Sequence, residues 1–209
     1  MKLYTFDPAP NPKRLQMFMD YKGIAIETVQ VDMAKHEQLG EEFRAINPLG
    51  TVPSLVLEDG TVLTEVIGAC LYLEDRFPQR PLLGNPGVEQ ARVVSWDHLL
   101  LGCVFQPIAE VFRNGHPSFA GRALPGSLPV EQIPALVERG KHRLADGWAL
   151  VDRTLAESPF VAGDRFSFAD IDLMIATEFT QWAARQPVPE SCTHIHAWLP
   201  RAQEAFAQK

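Results

Sequence analysis

The chain has 209 residues, 46% of them hydrophobic, which is enough for one large domain or two small ones and too many for a disordered protein. Its net charge of -7 without a basic tract makes nucleic acid and anionic membranes poor partners. No apolar run reaches the ~18 residues of a membrane span, and the first residues do not read as a signal peptide. The three cysteines, Cys70, Cys103 and Cys192, form neither a CxxC pair nor a metal spacing, so we expect no metal and a reducing, cytoplasmic environment.

Residues 1–78 alternate strands and helices in the order βαβ–ββα. The first helix is expected to take Asn11 as its N-cap and Pro12 as its first residue, where a missing N–H costs nothing. Asp59-Gly60 between two short apolar runs predicts a β-hairpin, and the helix that follows should end before Pro78. This order of elements predicts a thioredoxin-like half.

Prolines and glycines mark residues 79–87 as a linker, and the pattern from there to the end, 88–209, is helical. One long helix is expected over residues 88–112. Ser167 and Asp170 have the spacing of a capping box and predict the start of another helix. The sequence therefore predicts an α/β N-terminal thioredoxin-like domain, a linker and an all-α C-terminal domain with these boundaries.

The most informative turn of the chain lies between Asn47 and Leu55, because Pro53 directly precedes an apolar strand and cannot donate to a sheet ladder there. This run resembles the cis-proline loop of cytosolic glutathione transferases, so the Val52–Pro53 bond is expected to be cis. The Ser167 to Asp170 motif resembles the N-capping motif in the helical domain of the same family. The resemblance covers the whole chain and implies that the first domain binds glutathione as co-substrate.

The resemblance also implies how glutathione would be held. Val52, before Pro53, would offer its N–H and C=O to the cysteinyl backbone. Glu65 matches the acidic residue that meets the γ-glutamyl amino group. Val66 stands where the family usually has Ser or Thr, so only its N–H remains for the γ-glutamyl carboxylate. The glycyl carboxylate is assigned to the loop that carries Gln38, Lys35 and His36.

The residue that faces the thiol in this family is usually Tyr, Ser or Cys, and Ala9 stands there instead. Asn11 is the nearest side chain that can donate to a thiolate, and capping the helix is its competing role. Otherwise the helix dipole and backbone N–H groups must lower the thiol pKa. The stretch from Phe112 to Pro117 resembles a bacterial and yeast-type branch that lacks the usual thiol-facing residue. Within it, His116 is the candidate to orient a water or act as a base.

We therefore predict a homodimeric enzyme that joins the glutathione thiolate to a small hydrophobic electrophile. The acceptor pocket is expected to draw on Phe105, Ile108, Ala109, Phe112, Arg113 and Trp182. Two alternatives stay open. Ala9 and Val66 leave room for a binding or assembly protein without transferase activity, and the same fold also carries glutathione-dependent isomerases and dehalogenases.

Overall fold

The computed structural model describes residues 1–208, which pack into two compact units. The first comprises residues 1–80 together with 124–129, and the second comprises residues 81–123 and those from 130 onward. A four-stranded mixed sheet with helices forms the first unit, and the second is helical apart from short turns and isolated bridges, so the predicted fold class is confirmed. Among the described residues, no helix is long and apolar enough to cross a membrane.

The first unit has seven principal elements: β1 (Lys2–Thr5), α1 (Pro10–Lys22), β2 (Glu27–Gln30), α2 (Glu41–Ile46), β3 (Ser54–Val56), β4 (Val62–Leu63) and α3 (Val66–Arg76). The strand order is β2-β1-β3-β4, with β1 parallel to β2 and the other two pairs antiparallel. The predicted hairpin is present. Its turn is closed by the Leu57 N–H, which donates to the Thr61 carbonyl at 2.8 Å, and by the Asp59 carboxylate, which accepts from the Thr61 N–H at 2.9 Å.

This topology brings four chain segments to one edge of the sheet. Because β1 and β2 are parallel, the loops that leave them begin at the same edge. β3 runs in the opposite direction, so the turn that enters it lies at that edge too. β4 is antiparallel to β3 and therefore leads into α3 there. The loop before α1, the loop after β2, the turn before Ser54 and the start of α3 are thus gathered along one edge.

The second unit contains α4 (Val88–Leu100), α5 (Gln106–Gly115), α6 (Pro134–Glu157), α7 (Phe168–Phe179) and α8 (Thr193–Ala207). The expected helix over residues 88–112 is interrupted by a π turn at Leu101–Phe105, where the Gln106 N–H bonds to the Leu101 carbonyl. This turn directly precedes Pro107, which has no N–H and whose ring would clash in a regular helix with the carbonyl of Cys103. The wider turn therefore lets the helix continue past the proline.

Two glycines let α6 approach α5 and the π turn closely. A Cβ at Gly140 would lie 2.9 Å from the Pro107 carbonyl oxygen and 3.0 Å from Cγ2 of Val111. A Cβ at Gly147, one heptad later, would collide with the carbonyl oxygen of Cys103. Both positions therefore exclude a side chain because of packing.

The N-terminus of α7 is closed by its own first turn, as the capping-box spacing predicts. The fully buried Asp170 carboxylate accepts from the Ser167 N–H at 2.9 Å and from the Ser167 hydroxyl at 3.1 Å. It also accepts from the Val161 N–H at 3.0 Å and from Nε1 of Trp198 at 2.9 Å. Burial raises the pKa of Asp170 to about 6, against the opposing effect of these donors. The four donors around its two oxygens favour the ionised carboxylate.

Candidate functional site

The first helix begins earlier than the sequence predicted. Ala9, in an extended conformation, is the N-cap, and Pro10 takes the first helical position. The Lys13 N–H already bonds to the Ala9 carbonyl at 3.1 Å, which places Asn11 inside the first turn. The prediction that Asn11 caps this helix is therefore wrong, because the fixed φ of Pro10 suits the first helical position equally well.

The start of α1 offers few donors. Pro10 and Pro12 have no N–H, so the backbone N–H of Asn11 is the one donor among the first three residues of this helix. The half-buried Asn11 side chain accepts from Nη1 of Arg14 at 3.1 Å through Oδ1, which leaves its Nδ2 amide directed elsewhere. Asn11 thus combines two donors at this helix N-terminus, and the side chain of Ala9 adds none.

The Val52–Pro53 peptide bond is cis, as the resemblance implied. The turn around it is held by Asn47, which is completely buried. The Asn47 Nδ2 donates to the Thr51 carbonyl at 2.8 Å and to the Ser54 hydroxyl at 3.0 Å, and Oδ1 accepts from the Leu49 N–H at 3.0 Å. Sequence reasoning missed this positioning role, although an Asn directly before a proline in a turn is a recognisable signal.

The N-terminus of α3 is open. Glu65 occupies the N-cap position in an extended conformation, and its exposed carboxylate makes no cap bond. Within residues 1–208 it also has no ion pair. The first N–H of the helix to be bonded is that of Ala69, to the Glu65 carbonyl at 3.0 Å, so the N–H groups of Val66, Ile67 and Gly68 face outward. The Val66 side chain is only 4% exposed and belongs to the core.

The two candidates after β2 differ in exposure. Gln38 is buried, and its Oε1 has no hydrogen-bond partner among the described residues. Lys35 is exposed, and its Nζ lies 3.0 Å from the Asp32 carboxylate, whose hydrogen bond and charge raise the pKa of Lys35. Gly50 joins this loop to the cis-proline turn. Its φ is +64°, and a Cβ introduced at this position would lie 3.0 Å from the Gln38 carbonyl oxygen, so the turn and the loop approach each other closely here.

Most of the predicted site residues therefore follow the sheet edge described above. Three of these site segments adjoin the neighbouring strands β1, β3 and β4. Asn11 follows β1, the Val52–Pro53 turn precedes β3, and the helix start at Glu65 and Val66 follows β4. Lys35 and Gln38 follow the outer strand β2, at the same edge. His116 belongs to the second unit.

His116 is exposed and precedes a 3₁₀ turn at Pro117–Phe119. Its Nδ1 accepts from the Ser118 N–H at 3.3 Å, so the neutral ring carries its proton on Nε2. The His116 carbonyl accepts from the Gln132 side chain at 2.8 Å. The ring is therefore held at Nδ1, and the backbone of His116 is held separately by Gln132.

His116 borders a group of rings that we call the aromatic cluster: Phe112, Phe119, Phe179 and Trp182. The centroid of Phe112 lies 4.8 Å from that of Phe119, 6.3 Å from that of Phe179 and 5.4 Å from that of Trp182. Trp182 lies in the π turn Thr180–Ala184 that follows α7 and is 49% exposed. Phe105 and Ile108, two other acceptor candidates, are buried in the core and present little surface.

Comparisons with known proteins identify the family. A model of the glutathione S-transferase N-terminal domain matches residues 9–76. Glutathione S-transferase Z2 of Arabidopsis thaliana is 35% identical over 220 residues, covering 100% of this chain and 92% of the relative. The chain belongs to the glutathione S-transferase family.

Two further proteins are similar to this chain, one in its solved structure and one under the name of a different activity. The crystal structure of Gtt2 from Saccharomyces cerevisiae has a TM-score of 0.88 at 26% identity, covering 100% of this chain and 99% of that one. A maleylacetoacetate isomerase of Pseudomonas aeruginosa is 26% identical over 182 residues, which covers 83% of this chain and 78% of the relative. Family membership therefore establishes a glutathione S-transferase fold and a family-level relation to glutathione.

Proposed function

We propose that this protein is a glutathione transferase that joins the glutathione thiolate to small hydrophobic electrophiles. The observation that carries the proposal is the open start of α3 beside the cis-proline turn. In this proposal the Glu65 carboxylate binds the γ-glutamyl ammonium group, and the N–H of Val66 binds the neighbouring carboxylate. Val52 pairs with the cysteinyl backbone through its own N–H and C=O.

Two residues after β2 are proposed for the glycyl carboxylate. Lys35 is exposed and carries the positive charge, so it is the stronger of the two candidates, although it must share that charge with Asp32. Gln38 must turn its buried amide toward the ligand, and its unpaired Oε1 shows that its present environment does not satisfy it. We assign the glycyl end to this pair.

Thiol activation is assigned to Asn11. A thiol of pKa about 8.5 is mostly protonated at neutral pH, and donors that favour the thiolate lower that value. Asn11 can contribute its Nδ2 amide and its backbone N–H, but the two prolines reduce the number of dipole donors. We therefore expect a modest fall in thiol pKa. His116, with its Nε2–H free, is proposed to orient a water on the acceptor side.

Calorimetric titration with glutathione and with S-methylglutathione tests the ligand assignment. Both should bind, because the proposed contacts are to the peptide backbone and its charged ends. Ultraviolet titration of bound glutathione should give a thiol pKa below that of free glutathione, and 1-chloro-2,4-dinitrobenzene should then be conjugated with release of chloride. If neither tripeptide binds, the glutathione site is discarded. If both bind with an unshifted thiol pKa, the alternative of a binding or assembly protein is favoured.

A second candidate function is glutathione-dependent isomerisation, favoured by the similarity to the maleylacetoacetate isomerase. In such a cycle the thiolate adds to a conjugated double bond, the bond rotates, and the thiolate leaves again. Incubation with maleylacetoacetate distinguishes the two functions. An isomerase converts the substrate while free glutathione stays constant, whereas a transferase consumes one glutathione for each product.

We further propose a homodimer in a reducing, cytoplasmic environment. Leu71 on α3 is 39% exposed, and Ile67, Val94 and Leu101 are half-buried, so each unit presents apolar side chains outside its core. None of the three cysteines forms a disulfide within the part of the chain that the structure describes. Light scattering at micromolar concentration should give about twice the chain mass of 23.3 kDa. A mass near that of one chain would contradict the dimer.

A further inference from the structure

Two arginines flank one ring of the aromatic cluster. The guanidinium carbon of Arg113 lies 4.4 Å from the centroid of Phe119, and that of Arg122 lies 5.7 Å from the same centroid. The two cations therefore share one ring at short range. Burial, and secondarily the positive charge of Arg122, lower the pKa of Arg113 to about 10.

The two arginines differ in their other contacts. Arg113 donates through Nε to the Ala123 carbonyl at 3.0 Å and through Nη2 to the Arg122 carbonyl at 2.7 Å, so it holds the loop. Arg122 makes a single such bond, from Nη2 to the Ser118 carbonyl at 3.0 Å. Within residues 1–208 it forms no ion pair, although the Glu131 carboxylate lies beside the neighbouring Gly121. Arg122 therefore has donors available for an anion.

These charges border an apolar surface. Phe119 packs edge-on against Phe112, which in turn packs edge-on against the half-exposed Trp182. A flat aromatic ring can pack against such a surface, while a guanidinium pairs best with a planar carboxylate. The chain has a net charge of -7, yet two guanidinium groups lie close together here and Arg122 has no carboxylate partner within residues 1–208. This part of the surface is therefore locally positive.

We propose that the aromatic cluster binds aromatic acceptors that carry a carboxylate, with the ring packed against Phe112 and Trp182 and the carboxylate bound by Arg122. A carboxylate bound there attracts both guanidinium groups and so offsets the repulsion between them. Arg113 is a positioning residue that holds the loop and adds charge. This assignment rests on the proposed function and names the substrate class of that site.

Binding is tested first without glutathione, so that failure of the glutathione site cannot affect the result. The probes are 3-nitrobenzoate and the neutral 3-nitrobenzamide, whose nitro groups quench tryptophan fluorescence. The benzoate should bind about 10- to 100-fold more tightly than the amide, as expected for a charge-assisted pair. Trp182→Phe should remove part of the quenching. Equal affinities for the two probes would overturn the proposal.

Three substitutions assign the charge to Arg122. Arg122→Gln should reduce benzoate affinity to that of the amide while leaving amide affinity unchanged, which also shows that the cluster is intact. Arg122→Lys should retain part of the preference. Arg153→Gln, an equal charge change at an exposed position of α6, should leave both affinities unchanged. A benzoate preference that survives Arg122→Gln would overturn the assignment.

Turnover provides a separate measurement. With 4-chloro-3-nitrobenzoate, the glutathione thiolate attacks the ring carbon that bears chlorine, a C–S bond forms, and the C–Cl bond breaks with release of chloride. The ratio of kcat/KM for this acid to that for 4-chloro-3-nitrobenzamide should fall about 10-fold or more in Arg122→Gln. An unchanged ratio counts against the proposal. Loss of glutathione binding with an intact benzoate preference would instead reject only the transferase function.

Discussion

Two helices of the second unit, α7 and α8, have N-termini closed by a carboxylate, whereas α1 and α3 of the first unit do not. In the helical unit, the Asp170 carboxylate closes α7, and Asp152 of α6 accepts from the N–H groups of His194 and Ile195 at the start of α8, at 2.9 and 3.0 Å. In the first unit, neither Ala9 nor Glu65 makes a side-chain cap bond. A closed N-terminus stabilises its helix, whereas an open one can bind an anion. A missing cap alone does not mark a ligand site, since α4 and α6 also lack a side-chain cap. The helices α1 and α3 differ from them because both begin at the end of the sheet that carries the cis-proline turn.

The largest effect is expected at the closed N-terminus of α7. Asp170→Ala removes the acceptor of four donors inside the core and should lower the free energy of unfolding by about 3–5 kcal/mol. Denaturant unfolding measures this loss. The exposed Asp164 is the matched control, since Asp164→Ala should change stability by less than about 0.5 kcal/mol. A small loss at Asp170 would mean that the cap is not needed.

Glu65 at the open N-terminus of α3 should show the opposite pattern. Glu65→Gln removes the charge that faces the γ-glutamyl ammonium group and should weaken glutathione binding about 10- to 100-fold. Stability should change little, because the exposed carboxylate has no partner within residues 1–208. Calorimetry and thermal melting of the same samples separate the two effects. A destabilised variant with unchanged affinity would reverse the assigned role.

A substitution at Val66 tests whether the hydroxyl that the family usually has at this position strengthens glutathione binding. Val66→Thr adds a hydroxyl with little change in volume and should tighten glutathione binding by up to about 10- to 100-fold. Because the side chain is only 4% exposed, the same change should cost about 1–3 kcal/mol of stability. Val66→Ala serves as the control that alters packing without adding a hydroxyl. An affinity gain in both variants would assign the effect to packing.

Substitutions at Asn11 test whether the open N-terminus of α1 supplies a donor to the glutathione thiolate. Because Ala9 is the cap, Asn11→Ala should cost less stability than the ~0.5–2 kcal/mol of a lost cap. If Asn11 supplies the thiolate donor, the bound thiol pKa should rise by about one unit, or ~1.4 kcal/mol. Asn11→Asp keeps an oxygen for Arg14 but lacks the amide donor, so it should raise the thiol pKa as well. A thiol pKa that stays unchanged in both variants would discard the donor role.

Asp152 gives the smallest expected effect, which should depend on pH. Burial raises the pKa of its carboxyl, but the bonds from the His194 side chain and from the backbone N–H groups of Ile195 and His194 outweigh this and lower it overall. A lowered pKa stabilises the fold above the unfolded value near 3.9, and this stabilisation is lost as pH falls through the folded pKa. Asp152→Ala should therefore cost about 0.5–2 kcal/mol at pH 7, and progressively less as the pH falls below the ordinary Asp value near 3.9. A constant difference across that range would contradict the cap.

Much of the fold follows from local patterns. The hairpin at Asp59-Gly60 and the capping box at Ser167 depend on residues close in sequence, and both were predicted from them. The start of α1 was misplaced because Pro10 and Pro12 both suit the first position of a helix, and the local pattern does not choose between them. The π turn before Pro107 also escaped prediction, since a proline more often ends a helix than widens it.

The candidate site was predicted through motifs, and its supporting contacts were not. The Val52 to Pro53 bond and the placement of Glu65 follow from the resemblance. Asp152 closes the N-terminus of α8 through residues about 40 positions later in the chain. Arg122 lies near the aromatic cluster because its loop folds back on Phe119. Such contacts are set by tertiary packing, which composition and spacing do not encode.

The close packing of Gly147 against the Cys103 carbonyl limits how this lineage can vary. That carbonyl belongs to the π turn that precedes Pro107. A side chain at 147 would need the carbonyl to withdraw, and a regular helix there would need a residue other than proline at 107. Related sequences should therefore keep both Gly147 and Pro107 or replace both of them. The two positions are 40 residues apart in the chain, yet we expect them to change together.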